Sequence, residues 1–275
     1  MSRLVGSVGA MGNHQSEPAP GETALTVEES VALLRELVSL WRENPPTTIP
    51  VFENTALRGV GALSHVDHAM TLTNAVTLLA ENEMFVQLIP LVRMTLECAV
   101  TAAWFATARG SGDAALLEGT RLRRALASDA ARLIDVDSRE AIADLNVAMG
   151  ELGAVDSAEA KKFEARCRSL VGGDWLYLSY RHLSEFSHAG SLLLDHYIQS
   201  SEVSEATPLG FEYVPEDDPV AGRNVLGLDC WLVHIALSSW DSLAPTPVVT
   251  KALAEIGNKM DFQSALVRRL PGPCL

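Results

Sequence analysis

The chain has 275 residues, enough for one large domain or two small ones and for a substantial core. Its 48% hydrophobic and 20% charged content is that of an ordinary globular chain. A net charge of -14, from 21 basic against 35 acidic residues, works against sequence-independent attraction to nucleic acid or an anionic membrane.

Residues 1–24 contain Gly, Ser and Pro but neither the basic start nor the apolar run of a signal peptide, so they read as a disordered leader. Thr26 followed by Glu29 is the capping-box pattern. Val27, Val31, Leu34, Val38 and Trp41 then recur every three or four residues and predict an amphipathic helix to about Asn44. Further helices are expected over 54–82, 83–108, 114–136, 139–149, 157–170 and 174–199, with Pro90 placed to kink the second of these or delay its start. The acidic stretch 201–219 reads mainly as a loop with room for a short strand, and helices over 223–241 and 246–269 close the chain.

No uninterrupted run approaches the ~18 apolar residues of a membrane span. Cys98, Cys167, Cys230 and Cys274 are scattered without a CxxC pair, which argues against a zinc cluster or a disulfide framework. Together these features predict an all-α single helical bundle over 25–275, with a leader at 1–24 and one long acidic loop. The expected location is cytoplasmic, and the expected assembly is a homo-oligomer, a dimer through an apolar helix face.

Two helices carry the candidate chemistry. On a helix over 174–199, Asp174, Tyr177, Arg181, Ser184, His188, Ser191 and Asp195 form one polar stripe. The stripe lacks lysine and mixes aromatic, hydroxyl, imidazole and guanidinium groups. His188 suits a general acid or base, and Arg181 could stabilise developing negative charge. The plain alternative is the solvated face of an amphipathic helix.

Within the helix over 83–108, Arg93 and Glu97 are the only charges of the segment 88–105, four residues apart on one face of an otherwise apolar stretch. Partial burial of such a pair requires mutual neutralisation and hydrogen bonding, so a structural ion pair is one reading. The other has the pair facing the Arg181–His188 stripe, orienting His188 or binding a ligand. His65, Asp67 and His68 do not make a metal site, because Asp67 points away from the two histidines and no third ligand follows. Arg121, Arg123 and Arg124 form the main basic cluster, read as a solvated helix face able to supply phosphate contacts. No metal or cofactor is expected.

Arg181-His182, then five residues, then His188 resembles the R-x(4–6)-H motif of HEPN-domain proteins. That resemblance implies a helical bundle, often dimeric, acting as a metal-independent endoribonuclease in toxin–antitoxin or phage-defence systems. Arg181 and His188 would then promote attack by a ribose 2′-OH on the adjacent phosphate of RNA. Glu97 would complete the catalytic set, and Arg93, Ser184 and Tyr177 would bind substrate. The wider pattern of Arg93-x-x-x-Glu97 followed by Tyr180, Leu183, Ser184 and His188 is similar to a group of bacterial helical proteins of unknown function. The competing expectation is a non-catalytic binding or scaffold protein, partner unknown, in which the same residues form a structural network. A third is a small-ligand pocket between the Arg93 and Arg181 helices.

Overall fold

The computed structural model describes residues 25–52, 55–134, 136–152, 157–188, 197–204, 208–213 and 219–260. The leader at 1–24, Ser191, Asp195, Cys274 and the end of the last expected helix lie outside the described residues. Among the described residues the chain forms ten helices: α1 (Val27–Glu43), α2 (Leu57–Glu81), α3 (Phe85–Thr107), α4 (Ser111–Leu133), α5 (Arg139–Glu151), α6 (Ala158–Lys161), α7 (Phe163–Arg168), α8 (Gly173–Ser187), α9 (Pro219–Leu243) and α10 (Thr250–Lys259). A short antiparallel pair, β1 (Ile198–Ser200) with β2 (Phe211–Tyr213), interrupts the helical order and registers Ile198 opposite Tyr213. The all-α bundle expected from the periodicity is therefore the observed fold.

Each boundary has a local cause. Thr26 accepts from the Glu29 amide while Glu29 reaches back to the Thr26 amide, which satisfies two of the orphan N–H groups at the start of α1. Helix α3 passes straight through Pro90, which lies in its second turn, where the missing donor costs a single intrahelical bond. By length and composition α3 could cross a membrane, but 72% of its apolar window is buried by the other helices, so it serves as the core helix of the bundle. Helices α2 and α9 pack along it, and Leu34 and Leu37 of α1 are fully buried beside them. Removing each such leucine from water contributes about 1.5–3 kcal/mol.

Two expected helices are corrected. The segment 157–170 divides at Lys162, whose backbone is extended (φ -126°, ψ 123°). Arg166 makes the break tenable: its guanidinium donates to the carbonyls of Glu159 and Ala160, acceptors left open at the end of α6. The helix expected over 174–199 ends at Ser187, and residues 198–200 are strand. Ser184 and Ser187 donate to the carbonyls of Tyr180 and Leu183 one turn back, a local competition that weakens continuation, and His188 is extended at the C-cap (φ -103°, ψ 149°). His188 thus sits at a helix terminus rather than in mid-helix. At the other end of α8, Gly172 adopts φ 77° and a β-carbon on Gly173 would lie 1.7 Å from the Cys167 carbonyl oxygen, so the α7–α8 corner requires glycine at both positions.

Candidate functional site: a polar ladder on the core helix

Residues 93, 97, 101 and 104 recur at intervals of four, four and three, so they line one edge of α3. Arg93 lies lowest. Its Nε donates to Ser184 Oγ at 2.8 Å and one Nη donates to the Tyr180 hydroxyl at 2.9 Å, while the same Nη forms an ion pair with Glu97 Oε1, 2.9 Å away. Two of its five N–H groups therefore bond α8 while its charge is met by Glu97 on α3, and the guanidinium lies 4.9 Å from the centre of the Tyr180 ring. Ser184 relays the contact by donating to its own helix. The Arg93 side chain is 20% exposed and that of Glu97 37%, so the pair sits on the rim of the bundle, where desolvation is partial.

One turn up, Thr101 donates to the Glu97 carbonyl at 2.6 Å and accepts from Arg166 at 2.8 Å. The Arg166 guanidinium lies 4.9 Å from the centre of the Trp104 indole ring, whose Nε1 donates to Glu159 at 2.9 Å. Burial holds the Arg166 pKa below its ordinary value, against the opposing pull of Cys167, Glu97 and Glu159. His65 on α2 is also held below its usual pKa, first by burial, and it binds the Gly61 carbonyl while its ring packs on Phe105. On the far side, Tyr177 stacks on Tyr180 with centroids 6.2 Å apart, and Phe163 and Arg168 close over these rings. Read up α3, the partners fall at descending numbers: 184 and 180, then 166, then 159.

The two candidate groups of the sequence therefore separate. Arg93, Glu97, Ser184 and Tyr180 are brought together, with Tyr177 stacked behind them. The Arg181 and His188 side chains are exposed on the adjacent edge of α8 and make no hydrogen bond or ion pair among the described residues. Thr101, Trp104, Glu159 and Arg166 were not singled out from the sequence. The R-x-x-x-E-x-x-x-T-x-x-W spacing on α3 is the signal that could have found the first two, whereas Arg166 sits in a short helix with no periodicity to expose it.

Elsewhere, Asp67 accepts from Trp41 Nε1 at 3.1 Å beside an open groove of about 450 Å³ between α1 and α2, away from the ladder. Among the described residues no group of three His, Cys, Asp or Glu side chains gathers. Cys98, Cys167 and Cys230 are free and buried, and burial pushes Cys98 and Cys167 up to about 12, out of reach of nucleophilic chemistry near neutral pH.

Asp229 on α9 is an acid with no exposed surface. Neither carboxylate oxygen has a hydrogen-bond partner among the described residues. Thr73 and Thr95 lie beside it and would lower its pKa by turning their protons toward it, but they donate to the carbonyls of Ala69 and Leu91 in their own helices. Burial prevails and pushes Asp229 up to about 7.

The fold and ladder define an all-helical domain held by a polar and ion-pair network. Residues 60–205, more than half of the chain, match the model of a family of unknown function, DUF5677, and the chain belongs to that family. This agrees with the likeness to helical proteins of unknown function and brings no support for the HEPN family. No curated protein and no solved structure matches the chain.

Proposed function

We propose that the protein is a non-catalytic helical binding or scaffold protein in which the ladder on α3 is structural. The observation that carries this reading is the engagement of Arg93 by Ser184, Tyr180 and Glu97. An arginine held from two helices and neutralised by its own glutamate is suited to fixing α8 on α3. It is poorly suited to meeting a phosphate, which would have to displace Glu97.

The nuclease reading retains one favourable feature. The Arg181 and His188 side chains are exposed on one edge of α8 and have no hydrogen-bond or ion-pair partner among the described residues. Against it stands their separation from Glu97 and Arg93, and a histidine at a helix C-terminus has a simple structural use in complementing the terminal carbonyls.

Purified full-length protein, wild type and His188→Ala, is incubated with single-stranded RNA in chelator, and the products are examined for 2′,3′-cyclic phosphate ends. The scaffold reading expects no cleavage from either protein, and a lowered melting temperature for Arg93→Ala but not for His188→Ala. Cleavage by the wild type that disappears in His188→Ala would overturn it.

A further inference from the structure

Helix α2 lays five side chains along the groove it forms with α1, and they divide by chemistry. On a helix of about 100° per residue, Ser64 and Thr71 fall on one flank of Asp67, and Leu63 and Met70 on the other. From α1, Val38 and Trp41 add further apolar lining. One carboxylate thus stands between a hydroxyl flank and an apolar flank.

That carboxylate is held in place. Trp41, only 8% exposed, donates its indole Nε1 to Asp67 Oδ1 at 3.1 Å, while Oδ2 accepts no hydrogen bond from a described residue. The flanking hydroxyls have already spent their protons. Ser64 donates to the Val60 carbonyl at 2.9 Å, and Thr71 donates to the Asp67 carbonyl at 3.0 Å. What these three residues offer a ligand is therefore lone pairs and one negative charge.

We infer that this groove binds a small monoamine, a single primary ammonium carried on an apolar body. The three N–H donors of an ammonium match the Asp67 carboxylate and the two hydroxyl oxygens, and the body finds Leu63, Met70 and Val38 beside them. At about 450 Å³ the groove has the size of a small-molecule site. Apolar walls around one carboxylate strengthen its pull on a cation. The inference goes beyond the scaffold reading and does not depend on the role of the ladder.

Arg42 sets the limit on the ligand. It lines the same groove and reaches Asn74 Oδ1 at 3.5 Å. Asn74 is seven residues beyond Asp67, about 10 Å along the axis of α2. A second positive charge at the far end of a ligand would meet the guanidinium, whereas an apolar end would not be opposed. Preference for one ammonium over two also separates the groove from the general attraction of cations to a chain of net charge -14, which favours the diamine.

The test is isothermal titration calorimetry of the full-length chain with hexylamine, phenethylamine and tryptamine. The controls are 1,5-diaminopentane, which has the heavy-atom length of hexylamine, and the neutral 2-phenylethanol. At least one of the three monoamines is expected to bind once per chain, and hexylamine about tenfold more tightly than the diamine. The neutral alcohol should not saturate. Asp67→Asn keeps an acceptor for the Trp41 indole and should weaken the bound monoamine about tenfold, and Thr71→Val about threefold. A melting curve for each variant checks folding, and Thr71→Val, at an exposed position, carries the test if Asp67→Asn fails to fold. Absence of saturable binding by all three monoamines up to ~10 mM overturns the inference. So does monoamine binding that both substitutions leave unchanged, or a diamine that binds as tightly as hexylamine.

Discussion

Arg93 and Asp229 are ionisable residues on two adjacent helices, and the bundle treats them in opposite ways. Arg93 lies on the rim, where two hydrogen bonds to α8 and an ion pair with Glu97 engage its guanidinium. Asp229 is fully buried without a hydrogen-bond partner among the described residues, and the low dielectric keeps it protonated up to about neutrality. The difference teaches that polarity on a core helix can do two distinct things. At an edge it joins helices, because partner groups and residual solvent offset desolvation. At the centre, without partners, a carboxyl is tolerated as a neutral acid.

The sharpest way to break this comparison is pH. The folded-state pKa of Asp229 stands above its ordinary value of 3.8, so the folded chain holds a proton that the unfolded chain has released between about pH 4 and 7. Stability from this group is fully present below 3.8, falls as pH rises through that window, and levels off above 7. The loss is roughly 4 kcal/mol at most. Asp229→Asn should abolish it, so denaturant titrations at pH 5 and pH 8 should show the variant gaining on the wild type as pH rises. Parallel pH profiles would mean that Asp229 is ionised or paired after all.

The next effect is smaller. Arg93→Ala should lower stability by about 2–3 kcal/mol, because Glu97 loses its counter-ion and Tyr180 and Ser184 lose a donor. Equilibrium urea unfolding measures it, and a change below ~0.5 kcal/mol would show that the ladder contributes little to holding α8. The smallest effect sharpens the contrast between the ladder and the exposed edge of α8. His188→Ala, at an exposed C-cap, should shift stability by less than ~0.5 kcal/mol in the same titration. A larger loss would place His188 in a network with residues beyond those described.

Much of the fold was legible because apolar periodicity reports burial directly. The stripe of Val31, Leu34, Val38 and Trp41 located α1, and the solitary charges of α3 marked it as enclosed. Helix ends were harder, because the breaks at Lys162 and His188 arise from side chains bonding back to carbonyls rather than from glycine or proline. The ladder was half legible. Arg93 and Glu97 announced themselves by contrast with their neighbours and Ser184 by its place on the polar stripe, whereas Tyr180 entered only through the pattern shared with helical proteins of unknown function, and spacing cannot say that a guanidinium 87 residues away chooses Tyr180 over Arg181's side of the helix. Asp229 passed unnoticed because an acid in an apolar helix looks the same in sequence whether it faces water or Thr95.

The close packing of α9 also bears on where the protein can be cut. The span that matches the family ends at residue 205, before α9 begins, and starts at residue 60, after α1 is complete. Yet α1 and α9 meet each other, through Trp41 against Trp240 and the Cys230 thiol on the Ser30 carbonyl, and Phe85 of α3 rests on Gly222. A fragment trimmed to the matched span would keep both halves of the Arg93 ladder while removing α1 and α9 from the bundle and uncovering Phe85. The segment that can be recognised by alignment is therefore shorter than the segment that can stand in water, and fragments designed for expression should retain both flanking helices.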